Sequence, residues 1–341
     1  MLAVIFSSNA TNDVNGPAKK VSISGAGATF PLPFYNLAFK TYQDKTGNSI
    51  TYGGIGSGGG IRSLKDKIVD FGGSDAYLSD KEMSEMPAAV VHIPTCMGAV
   101  VLAYNLPGVD NLKLTGDIIA DIYLGKITKW NDSRIAAINP GVDLPDKAMS
   151  PVYRSDGSGT TFVFSDYMTK VSPEWAEKIG TGKSLKWPVG MAAKGNPGVA
   201  GVISQTEGSI GYVGSEYAFA MKIQFAQIRN AAGNFITPNT ESISAAAKGD
   251  MPADTRTMIT NSAAPDAYPI SCFTWIILYK EQAYADRNQA QAEETLKLLN
   301  WMLDAEAQAL TTKVNYSPLP EKATFCGSRR PGLRKTRFSS N

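Results

Sequence analysis

Arg154-Ser155-Asp156-Gly157-Ser158-Gly159-Thr160-Thr161, followed by the apolar run Phe162-Val163-Phe164, carries more recognition chemistry than any other stretch of this chain. Its eight residues hold a guanidinium, a carboxylate, two glycines and four hydroxyls. Such a segment can offer several N–H and O–H donors to one tetrahedral oxyanion, with the arginine supplying charge. Residues 149–153 before it read as a strand, and residues 162–171 after it read as a helix. A loop in that position belongs to an α/β fold, in which ligands bind where loops gather at strand ends.

Working outward, the same grammar recurs. Val21-Ser22-Ile23-Ser24 alternates as a strand and enters Gly25-Ala26-Gly27-Ala28-Thr29-Phe30. Residues 31–45 then place Phe34, Leu37, Ala38 and Tyr42 at helical spacing. Ser49-Ile50-Thr51-Tyr52 is a second strand, ending in the glycines of 53–60, after which 61–67 turn helical. Val69-Asp70-Phe71-Gly72-Gly73-Ser74-Asp75 is a third strand, delivering a carboxylate at its end. Further on, helices are expected over 118–123, 127–138 and 293–310, and a short strand over 209–213. Two β-rich runs, 97–104 and 273–279, flank the middle of the chain. If they pair, the chain passes twice between two lobes and forms a clamp with a hinge.

Composition narrows the function classes. A length of 341 residues suits two domains, and 43% hydrophobic with 19% charged residues is ordinary for a globular chain. A net charge of +2 does not provide the basic surface that nucleic-acid binding needs. Residues 1–20 open on the apolar Met1-Leu2-Ala3-Val4-Ile5-Phe6 and turn polar, reading as a disordered lead-in or the remnant of an export signal. Cys96, Cys272 and Cys326 have no metal-ligand spacing, and His92 is the single histidine, so no metal site is expected. Cys96 and Cys272 are either buried thiols or a disulfide pair, the latter requiring an oxidising compartment.

Catalytic readings fare poorly. Gly54-x-Gly56-x-x-Gly59 fits the dinucleotide pattern, but Asp75 follows a Gly-Gly-Ser turn and reads as one wall of a small site instead. Ser57, Ser74 and Ser158 lie outside any G-x-S-x-G frame, and His92 sits in the core-like Val90-Val91-His92-Ile93-Pro94. No G-x-x-x-x-G-K-[ST] loop occurs. Three hydroxyl-bearing loops without a nucleophile–base pair describe a protein that holds an oxyanion and leaves it unchanged. No cofactor is expected.

These loops also carry a family resemblance. Gly25-Ala26-Gly27-Ala28-Thr29-Phe30-Pro31, Gly54-Ile55-Gly56-Ser57-Gly58-Gly59, Asp70-Phe71-Gly72-Gly73-Ser74-Asp75 and Arg154-Ser155-Asp156-Gly157-Ser158-Gly159-Thr160 resemble, in order, the ligand motifs of the phosphate-binding proteins of phosphate ABC transporters. Residues 121–130 and 208–213 add to the likeness, which runs from about 21 to 320. The resemblance implies a two-lobed, type II-like periplasmic-binding-protein fold, two α/β domains on a two-stranded hinge. It implies lobe 1 from 21–97 plus 271–320, an inserted lobe 2 from 98–270, and an atypical tail from 321–341.

By the same resemblance Thr29, the Phe30 backbone, Ser57 and Asp75 would grip phosphate from one lobe. Arg154, Ser158, Gly159 and Thr160 would grip it from the other, with Asp156 steadying Arg154. The implied partners are inorganic phosphate and the membrane permease of an ABC importer, for a periplasmic or otherwise extracytoplasmic monomer. Another tetrahedral oxyanion, or a phosphate-ester hydrolase on the same scaffold, is the alternative. Two departures stand out. Gly58 occupies a position where many members have a serine, which would remove a hydroxyl. Residues 323–332 lack helical periodicity, so order is not expected from Lys322 onward and Cys326 is expected to be incidental.

Overall fold

β1 (Ser22–Gly27) runs parallel to β2 (Ser49–Gly54) and to β3 (Phe71–Ser74). The computed structural model describes residues 20–328. Each parallel step is closed by a helix, Leu32–Thr46 and then Ser57–Lys65. The first buries Phe34, Tyr35, Ala38, Phe39 and Tyr42 and stops at Gly47, whose φ of 73° suits a left-handed cap. The second begins four residues before the expected helix, because Gly58, Gly59 and Gly60 form its first turn. A β-carbon on Gly60 would lie 2.4 Å from the Gly27 α-carbon, so helix and strand meet backbone to backbone. That contact outweighs the poor helix propensity of glycine.

β4 (Val90–Tyr104) is the element that organises both halves. Fifteen residues, about 50 Å of extended chain, are enough to serve two sheets. Its first part pairs antiparallel with Ser271–Tyr279, which in chain order is the twelfth strand, and its last part pairs with Ser209–Gly214. The two β-rich runs therefore do pair, with Phe273 opposite Met97. Only the start of the first run takes part; from Val100 onward it has crossed into the other sheet. The return crossing lies alongside, where the Val100 N–H donates to the Ile270 carbonyl at 2.9 Å. These two adjacent crossings form the hinge of a two-lobed α/β molecule.

The register slips between Thr274 and Trp275, leaving Thr95 as an extra residue beside Pro94. A bulge is where a proline fits inside a paired strand, since it has no N–H to give. In the second half Ser150–Arg154, Met191–Ala193 and Ser209–Gly214 are parallel, with the helices Gly159–Val171 and Gly195–Gln205 between them. A small separate sheet joins Lys113–Leu114, Gln227–Arg229 and Phe235–Ile236.

Several expected elements are corrected. Only Ser133–Ile138 is helical in the 127–138 run; Trp130 is buried in a loop, its indole N–H donating to the Gly208 carbonyl at 2.9 Å. The late helix divides into Gln289–Met302 and Ala305–Gln308, because Asp304 caps a new start by accepting from the Ala307 N–H. The stretch after Pro320, expected to lack helical structure, is helical over the residues described. Glu321–Ser328 is a helix, anchored by the buried Ala323 and by the Pro320 carbonyl, which accepts from the Ala323 N–H at 2.8 Å. The lead-in 1–19, residues 329–341 and the Cys326 side chain fall outside what is described. Cys96 and Cys272 are buried thiols, offset by the register that sets Cys272 opposite Gly98. His92 is buried, and its Nε2 accepts from the Leu78 N–H at 3.0 Å.

Candidate anion-binding site

The candidate residues converge from strand ends in both halves. Ser57 is the first residue of its helix and is fully buried. Its Oγ accepts from the Gly159 N–H at 3.0 Å and from the Asp75 N–H at 3.4 Å. Asp75 follows β3 directly, and its Oδ1 accepts from the Thr274 hydroxyl at 2.7 Å, next to the bulge. Burial pushes the Asp75 carboxyl up from its ordinary 3.8 to about 7, against the opposing pull of Thr274, the Arg154 charge and its own backbone N–H.

Arg154 closes the strand Ser150–Arg154, its side chain 1% exposed. Nε and Nη2 fork onto the two Asp156 oxygens at 2.8 and 2.6 Å, and Nη1 reaches Thr160 Oγ1 at 3.3 Å. Burial alone would raise the Asp156 carboxyl, but the Arg154 bonds and charge outweigh it and hold the group below its usual range. Asp156 also accepts from the Gly195 N–H at 3.0 Å. Ser158 caps the helix Gly159–Val171, accepting from the Thr161 N–H at 3.0 Å. Cap and site residue are here one side chain, leaving the hydroxyl hydrogen for another acceptor.

Thr29 accepts at Oγ1 from Asn196, and its carbonyl accepts from the Tyr217 hydroxyl at 2.5 Å. Phe30 is buried edge-on to Tyr316, whose hydroxyl donates to the Phe30 carbonyl, so only its backbone is available to a ligand. Gly58 faces the opposite half: its N–H donates to the Gly157 carbonyl at 2.8 Å, and a β-carbon there would sit 3.2 Å from the Gly157 α-carbon. The departure at this position is a close backbone contact across the cleft.

All eight expected site residues, with Asp156, thus gather where the halves meet. Sequence reading missed Asn196, Tyr217, Thr274 and the buried Glu216. Burial raises the Glu216 carboxyl well above its ordinary range, and neither of its oxygens has a hydrogen-bond partner among the described residues. The one signal for Asn196 was Gly195-Asn196-Pro197-Gly198, another turn-rich segment opening a helix.

Gly159 leaves no room for a side chain between the halves. A β-carbon there would stand 2.5 Å from Ser57 Oγ and 2.6 Å from Asp75 Oδ2. Gly159→Ala is expected to hold the halves apart and weaken anion binding about a hundredfold. Calorimetric titration checks this; a dissociation constant within threefold of wild type, roughly 0.6 kcal/mol, counts against the close approach.

Comparison with known proteins identifies the family and the fold. A family model described as the PBP superfamily domain matches residues 13–306. The phosphate-binding protein PstS of Xylella fastidiosa (strain 9a5c) is 42% identical over 307 residues, covering 89% of this chain and 82% of that protein. A phosphate-binding protein from Stenotrophomonas maltophilia shares the fold with a TM-score of 0.73 at 18% identity, covering 91% of this chain and 94% of that one. PfluDING, a high-affinity periplasmic phosphate-binding protein solved with phosphate, does so at 0.71 and 21%, covering 89% and 92%. The chain belongs to the PstS phosphate-binding protein family, within the PBP superfamily.

Proposed function

We propose that this chain captures inorganic phosphate between lobe 1, residues 21–97 plus 271–320, and lobe 2, residues 98–270. Thr29, the Phe30 backbone, Ser57 and Asp75 hold the anion from the first lobe. Arg154, Ser158, Gly159 and Thr160 hold it from the second, with Asp156 fixing the guanidinium. The loaded protein then delivers phosphate to the membrane permease of an ABC importer, acting outside the cytoplasm as a monomer. The net charge of +2 supports a partner list without nucleic acid.

One observation carries the reading: hydrogen-bonding groups from both halves meet beside the buried Asp75 carboxyl, with the Gly159 N–H of one half donating to Ser57 Oγ of the other. Each lobe supplies half of the cage, so binding couples to closure. Cross-cleft bonds already join the halves, including Gly58 to Gly157 and Lys183 to Glu82 at 2.7 Å. A hydrolase reading finds no support in the hydroxyls. Ser57 Oγ accepts from backbone N–H groups, Ser158 is a helix cap, and His92 Nε2 is engaged by Leu78.

Titration calorimetry with phosphate, arsenate and sulfate tests the proposal. Phosphate is expected to bind one to one, arsenate to compete, and sulfate to bind far more weakly at pH 8. Tight sulfate binding without phosphate binding would overturn it.

A further inference from the structure

The two threonines of the site share one partner, and it dictates which way their hydroxyls point. Asn196 is fully buried, and its Oδ1 accepts from the Gly214 N–H at 3.0 Å. A backbone N–H can only donate, so the orientation of this amide is determined and its other atom is the NH2 group. That group reaches Thr29 Oγ1 at 3.0 Å and Thr160 Oγ1 at 3.1 Å. The Asn196 backbone N–H adds a second bond to Thr29 Oγ1 at 3.0 Å, and Arg154 Nη1 adds a second to Thr160 Oγ1 at 3.3 Å. A hydroxyl has two acceptor lone pairs and one hydrogen. In both threonines the lone pairs are spoken for, and the hydrogen is the valence that remains.

Thr29 lies in the first half, whereas Asn196 and Thr160 lie in the second. The bonds to Thr29 therefore form only when the halves come together. We propose that Asn196 is a positioning residue that sets the polarity of the phosphate site on closure, fixing Thr29 and Thr160 as donors. Ser57 is arranged alike, its Oγ accepting from Gly159 and Asp75. Hydroxyls so fixed refuse any ligand atom that itself donates. The proton of a hydrogen phosphate is then directed to Asp75. The inference rests on the phosphate reading above.

A double-mutant cycle tests it. Asn196→Ala removes the NH2 bond to each hydroxyl and leaves each with one donor, the residue-196 N–H at Thr29 and Arg154 Nη1 at Thr160. One lone pair on each is freed, and the hydrogen is no longer the only valence left. The phosphate Kd is expected to rise about 10- to 100-fold, mostly through faster dissociation. Thr29→Val is expected to cost a comparable factor in wild type, yet less than about threefold in the Asn196→Ala background. An equal cost in both backgrounds assigns Asn196 a merely structural part and overturns the proposal. So does an unchanged Kd in Asn196→Ala.

If Asn196→Ala does not fold, Asn196→Asp keeps the volume and the acceptor for Gly214 while replacing the NH2 group with oxygen. Its carboxylate claims the threonine hydrogens for itself. Phosphate affinity is expected to fall and then recover as pH drops through the carboxyl range, measured against the wild-type pH profile that contains Asp75, Asp156 and phosphate. A loss that does not vary with pH overturns the proposal. A wild-type protein that binds no phosphate sinks the functional reading and takes this inference with it, an outcome distinct from the others.

Discussion

Arg154→Met is expected to weaken phosphate binding about a thousandfold, the largest loss from any single substitution at the site. Arg154 is the one cation among the residues gathered there, and its guanidinium is buried with a two-point grip on Asp156. Removing it deletes the charge proposed to face the anion and leaves the Asp156 carboxylate uncompensated beside it. Breaking one side of a buried ion pair also costs about 3–5 kcal/mol of stability, so a lower Tm is expected as well. Arg154→Lys keeps the charge but not the planar fork, and should fall between, at about 10- to 100-fold. The double variant Arg154→Met, Asp156→Leu separates folding from binding. An apolar pair of similar size restores stability, because a buried ion pair pays its own desolvation cost. Tm is expected to recover and phosphate binding is not. Binding restored without any cation would end the assigned role of Arg154.

Much of this site was legible because its chemistry is local. Residues 154–161 place charge, carboxylate, cap and hydroxyls on one strand-to-helix junction, and the structure keeps them together over a few ångströms. Asp75 was readable in the same way, as a carboxylate just beyond a short apolar strand. The pairing of the two β-rich runs was legible from composition. That one strand would span both sheets was not, because nothing at Val100 marks the handover from Ser271–Tyr279 to Ser209–Gly214.

What escaped reading depends on partners remote in sequence. Asn196 meets Thr29 across 167 positions, and only the folded chain reveals that one amide serves both halves. Thr274 reaches Asp75 across 199 positions, beside a bulge that periodicity does not show. The helix from Ser57 was hidden by its glycines, which weaken helix propensity locally yet permit the contact with Gly27. The helix Glu321–Ser328 escaped for the opposite reason: Ala323, one small buried side chain, anchors it with little periodic signal.

Asp75→Asn is expected to leave phosphate bound and to admit sulfate, with a change in pH dependence that identifies the cause. In the proposed site one proton is shared between the Asp75 carboxyl and the ligand. Hydrogen phosphate brings that proton; sulfate does not, so Asp75 must take it from solvent. Burial puts the Asp75 carboxyl at about 7, with Arg154, Glu216, Tyr35 and Cys272 as its titratable neighbours. Above that value each pH unit costs about 1.36 kcal/mol to protonate it, a factor of ten. Wild-type sulfate affinity should therefore fall about tenfold per unit above pH 7, roughly a hundredfold by pH 9, while phosphate stays nearly level. In Asp75→Asn the amide accepts from Thr274 and donates to sulfate at any pH, so the slope vanishes and the two anions come within about tenfold. The ligand-free protein supplies an independent check on sign. A carboxyl whose folded pKa is raised stabilises the fold below its unfolded value, and that contribution is lost as pH rises from about 4 through 7. Thermal stability of the wild type should decline across that window relative to Asp75→Asn. A flat sulfate profile in the wild type, or an unchanged slope in the variant, would place phosphate–sulfate selectivity outside Asp75.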